Sequence, residues 1–197
     1  MHHYCGELFL LSLYTYSQGV KLLWFNFLRN TMHLFMVYLG GRIVGCHIEM
    51  HDIRFVIGEN IEACFDKLKV QWVGDKNKVH MDSYMAVKYV DGYAITLSET
   101  PSLQSEKLFF VNMGAYRADS LAEQHEFMLC VALSAEEAKQ KAKSKLLQGM
   151  SHRHKDDLYD VDDCFAVDLF DTGYNINLTP SEKTQKLVPD WFGYQVL

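Results

Sequence analysis

Two stretches of the 197-residue chain decide its fold: Leu34-Phe-Met-Val-Tyr-Leu-Gly40 and Leu108-Phe-Phe-Val-Asn-Met-Gly114. They are two versions of one sequence, and each is an apolar run of strand length that ends in glycine. The same offset aligns Glu49-Met-His51-Asp52 with Glu123-Gln-His125-Glu126. Because several matches recur in the same order, the sequence predicts an internal duplication.

Each copy is predicted to be a ββαββ unit. Two apolar runs precede a helical stripe, which in the second copy begins with the capping box Ser134-Ala-Glu-Glu137. In the first copy two alternating runs flank Asp91-Gly92, a pair that readily supplies the two positive φ angles of a type I′ turn. The predicted fold class is α+β, with two tandem ββαββ repeats packed about a pseudo-two-fold axis and mostly antiparallel sheet.

The repeats set the expected boundaries along the chain. They are an N-terminal extension over 1–31, repeat 1 over 32–98, a linker over 99–106, repeat 2 over 107–178 and a C-terminal tail over 179–197. Met32 stands directly before the first repeat, so we expect the extension to lie outside the native protein. An additional helix that caps the fold is the alternative.

The composition is that of a globular protein without a strong electrostatic signature. Apolar residues make up 49% of the chain, and the formal net charge of −6 is not concentrated in any block. We therefore expect neither a nucleic-acid surface nor a membrane span. The five cysteines are widely spaced and include no CxxC pair, which favours reduced thiols and a cytoplasmic location. Partners stay open, a homodimer among them.

Several motifs of the first copy resemble a small bacterial family known as domain of unknown function 1543. They are Met36-Val-Tyr-Leu-Gly-Gly41, Ile48-Glu-Met-His-Asp52, Phe55-Val-Ile-Gly58, His80-Met-Asp82 and Val90-Asp-Gly-Tyr93. The second copy matches more loosely, since Gly41 has become Ala115, Asp52 has become Glu126 and His80 aligns with Asp160. The family carries one or two copies of the domain and has no assigned activity. The resemblance therefore implies the fold unit and a bacterial, cytoplasmic origin, and it leaves function open.

The residues best suited to chemistry are Glu49, His51 and Asp52 together with His80 and Asp82. Imidazoles and carboxylates bind zinc, iron or manganese, and they also perform general acid–base catalysis. All five residues are candidates for catalysis, and His51, His80 and Asp82 are the candidate ligands of a divalent metal. Because side chains alternate along a strand, we expect Glu49 and His51 on one face and Asp52 on the other.

The second copy contains counterparts of this set, namely Glu123, His125, Glu126 and Asp162. Since Glu-x-His recurs in both copies, it can equally be a polar contact where the copies meet. The sequence contains no complete catalytic motif, so the leading interpretation is a non-catalytic module that binds a ligand or partner between the copies. The alternative is a metal-dependent or His/carboxylate acid–base enzyme, in which His51 binds metal or acts as the base and Asp82 orients it.

Overall fold

The computed structural model describes residues 31–116, 118–146, 161–169 and 172–197, and residues 32–197 form one compact unit. The predicted extension over 1–31 lies outside the described residues except for its last residue. The strands are β1 (His33–Gly41), β2 (Met50–Gly58), β3 (His80–Ala86), β4 (Tyr89–Val90), β5 (Tyr93–Ser98), β6 (Lys107–Ala115), β7 (Gln124–Ala132), β8 (Val161–Ala166), β9 (Asn175–Pro180) and β10 (Trp191–Val196). The helices are α1 (Phe65–Gln71), which continues a 3-10 turn over Glu62–Cys64, and α2 (Ala135–Lys145).

The described strands form three antiparallel sheets. The first has the order β10-β3-β1-β2, the second has the order β7-β6-β8, and the third has the order β4-β5-β9. The fold is therefore α+β and mostly antiparallel, as the sequence predicts. The segment expected to be a C-terminal tail contains β10, which lies at the edge of the first sheet beside β3. Within the described ranges, every helix is too short or too polar to cross a membrane.

A β-bulge interrupts the third strand of both larger sheets at the same place. In the first sheet Tyr38 pairs with Ser83 and the next residue of β1 pairs with Met81, so Asp82 is left without a partner in β1. In the second sheet the register shifts between Asn112 and Met113, which leaves Asp162 as the extra residue. The extra residue of a bulge has no partner on the neighbouring strand, and in the first sheet that residue is Asp82, whose carboxylate belongs to the site described below.

Three apolar cores hold the sheets together. One lies between α1 and the outer face of the first sheet, around Val37, Leu39 and Leu68. Another lies between α2 and the second sheet, around Val111 and Ala138. The largest joins the inner faces of the two sheets with the third sheet; its members include Leu34, Met36, Ile57, Ile95, Leu108, Phe110, Val131 and Leu178.

The third sheet contains strands from both halves of the chain. Strand β5 follows the Asp91-Gly92 turn, whose φ angles of 47° and 81° are both positive, as the sequence predicts. The edge of β5 that faces away from β4 pairs with β9, and in this pairing Thr96 lies opposite Asn177. The turn also contacts the second half, because Asp91 Oδ2 accepts a hydrogen bond of 3.1 Å from the backbone N–H of Val131. The two halves are therefore joined by a shared sheet as well as by a shared core.

A side chain accepts a backbone N–H at the start of the 3-10 turn that precedes α1, and another does so at the start of α2, where the sequence predicts the capping box. Asn60 Oδ1 accepts from the N–H of Ala63 at 2.9 Å, and Ser134 Oγ accepts from the N–H of Glu137 at 3.2 Å. Glu137 Oε2 accepts from the N–H of Leu133 at 2.9 Å, and Glu137 Oε1 lies 3.0 Å from Lys141 Nζ. These contacts, the backbone hydrogen bond first, hold the pKa of Glu137 below its usual 4.5.

We expect Ser134→Ala to lower the free energy of unfolding by about 1 kcal/mol, because the N–H of Glu137 loses its acceptor. Ser134→Asp retains an oxygen at the cap and should keep most of the stability. Urea unfolding of both variants measures the difference. Equal losses in the two variants would contradict the cap.

The lowered pKa of Glu137 predicts a pH dependence. A carboxylate with a depressed folded-state pKa stabilises the fold above its unfolded value near 4.5, and the contribution disappears as the pH falls through the folded value. Glu137→Gln should therefore melt at a lower temperature than the wild type at pH 7, and the difference should shrink at pH 3. A difference that is constant with pH would show that ionisation of Glu137 has no part in it.

Candidate functional site

The candidate site lies at one end of the first sheet, centred on Gly40 of β1. Gly40 pairs with His51 on β2 and with His80 on β3. Because directly paired residues point to the same face of a sheet, both imidazoles extend over the glycine. A methyl group in place of the glycine hydrogen would approach Asp82 Oδ2 to 2.9 Å and the His80 ring even more closely. The absence of a side chain at residue 40 therefore makes room for the site.

Asp82 connects the two imidazoles. Its Oδ2 lies 3.3 Å from His51 Nε2, and its Oδ1 lies 3.2 Å from His80 Nε2. Glu49 Oε2 lies 3.7 Å from the same nitrogen of His80. Four of the five residues singled out from the sequence are therefore neighbours. Asp82 is two residues after His80, so strand alternation puts both on the same face of β3, and the bulge leaves Asp82 without a partner in β1.

The two histidines have very different surroundings. The side chain of His51 is 36% exposed, whereas that of His80 is 1% exposed. Tyr194 of β10 covers His80, with its ring stacked 4.1 Å from the imidazole. Within the described part of the chain, Nδ1 of His80 is buried and has no hydrogen-bond partner. Of these two histidines, His51 is therefore the one that a molecule from solvent can reach.

Tyr38 completes the exposed side of the site. Its ring lies parallel to the His51 ring, with the centroids 5.2 Å apart and the planes 6° from parallel. Burial raises the pKa of Tyr38 above 10.0, and the negative charges of Asp82 and Asp52 raise it further. The phenol therefore stays protonated near neutral pH and can donate a hydrogen bond.

Asp52 is the candidate residue that does not join the cluster. It pairs with Leu39 rather than Gly40, so it has the opposite orientation to His51, as strand alternation predicts. Its Oδ2 lies 2.6 Å from Arg54 Nη2, and its Oδ1 accepts from the N–H of Ile53 at 2.7 Å. The carboxylate is held at the edge of the sheet by these contacts.

The second half repeats part of this arrangement. His125 pairs with Gly114, and Glu126 pairs with Met113, which mirrors the positions of His51 and Asp52. Glu123 Oε2 lies 3.8 Å from His125 Nε2. Asp162 occupies the bulge that corresponds to Asp82, and its side chain lies outside the described atoms. The residue aligned with His80, Asp160, also lies outside the described residues.

Between the two sheets lies a cleft of about 470 Å³ that both halves line. Glu49 and His51 face it from the first half, and Glu123 and His125 face it from the second. Its other lining residues include four aromatic rings, those of Tyr38, Phe110, Phe127 and Phe165. The sequence analysis missed these rings, because apolar residues at alternate strand positions look the same whether they line a core or a cleft.

The geometry bears on the predicted metal site. Within the described residues, no three or more His, Cys, Asp or Glu side chains form a group that could hold a metal ion. Asp82 presents a different oxygen to each imidazole, so its carboxylate is divided between two separate contacts. His51, His80 and Asp82 are neighbours, as the sequence suggests, and their arrangement is that of a chain of polar contacts.

We expect Gly40→Ala to destabilise the protein by roughly 1–3 kcal/mol, because the new methyl group collides with His80 and Asp82. The cost should be smaller in a His80→Ala background, where the nearest colliding ring is absent. Urea unfolding of the two single variants and the double variant measures this coupling. A strictly additive double variant would contradict the close approach of Gly40 and His80.

Comparisons with known proteins agree with this architecture. A crystal structure of the protein Il1583 from Idiomarina loihiensis is similar, with 36% identical residues, a TM-score of 0.66, and coverage of 83% of this chain and 97% of that one. A comparison with curated proteins found no match. The family model described as Domain of Unknown Function (DUF1543) matches twice, over residues 46–97 and 120–178. The chain belongs to this family and contains its domain in a tandem two-copy form.

Proposed function

We propose that this protein is a small-molecule binding module whose ligand occupies the cleft between its two halves. The observation that carries the proposal is the cleft itself, whose volume of about 470 Å³ is within the usual range for ligand pockets. Apolar rings and a few polar groups line it together, and this combination is typical of sites that bind small organic molecules.

The proposal includes the relation between the halves, which we infer to be two copies of one ββαββ-derived unit about a pseudo-two-fold axis. Equivalent contacts support this: Val87 N–H donates to Leu34 O and Val167 N–H donates to Leu108 O, both at 2.8 Å. The pairing of β5 with β9 supports it too. Thr96 and Asn177 hold corresponding places in the two copies and stand opposite each other, which puts the inferred axis between them.

Such a relation explains why a cleft forms where it does. The inner faces of the two sheets pack against each other near Leu34 and Leu108, and this core excludes solvent. At the other end of β1 and β6, beyond Tyr38, polar side chains line the cleft, among them His51 opposite Gly40 and His125 opposite Gly114. The cleft is the space between the sheets at this polar end, and binding sites commonly occupy such junctions between structural units.

A fragment screen by ligand-observed NMR tests the proposal, using a mixed set of aromatic amines, acids and neutral compounds. We expect bound fragments to shift the amide resonances of β2 and β7. Met50→Trp, which adds a large ring at the cleft, should abolish binding. Val70→Trp, at an exposed position of α1, is the matched control and should bind as the wild type does. No fragment bound at the cleft, or equal binding by both variants, would contradict the proposal.

A second candidate function is general acid–base catalysis in the same cleft. The observation that favours it is the contact of Asp82 with His51, since a carboxylate beside an imidazole orients the ring for proton transfer. His51 would then transfer the proton, Asp82 would position it, and Tyr38 could donate a hydrogen bond to the reacting molecule. Asp52 lies outside this arrangement.

Conversion of a bound fragment, followed by mass spectrometry, separates the two candidates. Under the acid–base hypothesis His51→Asn should retain binding and reduce the rate by roughly a hundredfold or more. Asp82→Asn should lower the rate while Glu62→Gln, on the opposite side of the first sheet, should not. Fragments that bind and remain unchanged in the wild type would favour a module that only binds.

The expected cellular location and partners of the protein are also proposals. Cys46, Cys64, Cys130 and Cys164 are free thiols, which supports a cytoplasmic location in a bacterium. The absence of a basic block in the sequence supports the expectation that nucleic acid is not a partner. The homodimer stays a prediction that sedimentation can test.

A further inference from the structure

The lining of the cleft is strongly unbalanced in charge. Among the described residues that line it, the carboxylates are Glu49, Asp52, Glu123 and Asp163, and the one guanidinium is that of Arg54. The described lining is therefore negative by three charges with both imidazoles neutral, and by one charge if both are protonated. A concave site with charges of one sign and apolar walls concentrates counter-ions, which here are cations.

The lone guanidinium is already engaged. Arg54 Nη2 lies 2.6 Å from Asp52 Oδ2, and Arg54 Nη1 donates to the carbonyl of Ile53 at 3.0 Å. An anionic ligand would have to compete with Asp52 for this group, and it would also meet the charges of Glu49 and Asp163. A cationic ligand would find the carboxylate oxygens of Asp163, which form no ion pair with any residue that the structure describes.

One wall of the cleft is a continuous aromatic surface. The ring of Tyr38 lies 6.1 Å from that of Phe127, which lies 5.8 Å from Phe110, and Phe110 lies 5.4 Å from Phe165. Aromatic faces attract an organic cation through their quadrupole, and they also shield apolar ligand groups from water. The same wall can therefore bind a positive centre and the hydrocarbon attached to it.

This wall continues into a second, apolar pocket of about 220 Å³. Tyr38, Ile53 and Phe127 line both spaces, so the two are adjacent. Beyond them the smaller pocket is lined by Met36, Met85 and Leu187, and none of the described residues that line it is charged. The binding surface thus has a negatively charged end and an apolar end.

We infer that the ligand is an amphipathic organic cation, with an ammonium-type group among the carboxylates and an apolar or aromatic body along the Tyr38–Phe127 wall. This inference rests on the proposed function, because it assigns a chemical class to the ligand of the same cleft. It goes beyond that function by giving the charge of the ligand and its orientation.

Three aromatic probes of similar size and different charge test the inference: 2-phenylethylamine, 2-phenylethanol and 3-phenylpropionate. Calorimetric titration of the full chain measures the affinities, and amide chemical shifts locate each probe. We expect the amine to bind roughly tenfold or more tightly than the alcohol, and the carboxylate to bind most weakly.

A charge-neutralising variant identifies the groups responsible. Glu49→Gln with Asp163→Asn should reduce the preference for the amine over the alcohol by roughly tenfold and leave the affinity for the alcohol unchanged. Glu62→Gln with Asp66→Asn makes the same chemical change on exposed residues near α1 and should leave both affinities unchanged. Met50→Trp should weaken all three probes.

The outcomes separate this inference from the proposed function. If 3-phenylpropionate or the alcohol binds in the cleft as tightly as the amine, the charge assignment is wrong and cleft binding stands. The same holds if other fragments occupy the cleft and the amine does not bind. If neither the probes nor any fragment binds there, both the inference and the proposed function are overturned.

Discussion

The inner faces of the two larger sheets are apolar, and each can leave water only by packing against the other half of the chain. This shared burial, with Met36, Ile57, Phe110 and Val131 among its members, is the constraint on which the remaining structure depends. Strand pairing between the two halves reinforces this shared burial, because β5 of the first half pairs with β9 of the second. The halves therefore have separate outer cores under their helices and one inner core in common, and the cleft opens where that common core ends.

The site depends on a residue without a side chain. Gly40 lies at the centre of three paired strands and leaves room for the imidazoles on both sides of it, while Asp82, two residues after His80, contacts both rings. With a side chain at residue 40 the rings could not lie over β1. Tyr194 then shields His80 from solvent, which leaves His51 and Tyr38 to face the cleft.

Local signals in the sequence predict local features well. The Asp91-Gly92 turn, the cap Ser134, and the opposite orientations of His51 and Asp52 all follow from backbone preferences within a few residues. Pairing between distant strands does not follow in this way. The alternation of β5 and β9 indicates strands without indicating that they pair with each other, and the sequence predicts only a tail where β10 lies. For the same reason, the sequence groups Glu49, His51, His80 and Asp82 as candidates and does not indicate the cover by Tyr194 or the aromatic wall.

Native-state hydrogen exchange tests most directly the central claim, that the two halves form one cooperative body with a cleft between them. We expect the amides that pair β5 with β9 to exchange only through global unfolding, with the same free energy as the paired amides of the central strands β1 and β6. One set of protected amides in both halves, lost together as urea is added, is the expected result. Earlier exchange of the second half alone, or of β5 and β9 before β1 and β6, would contradict it.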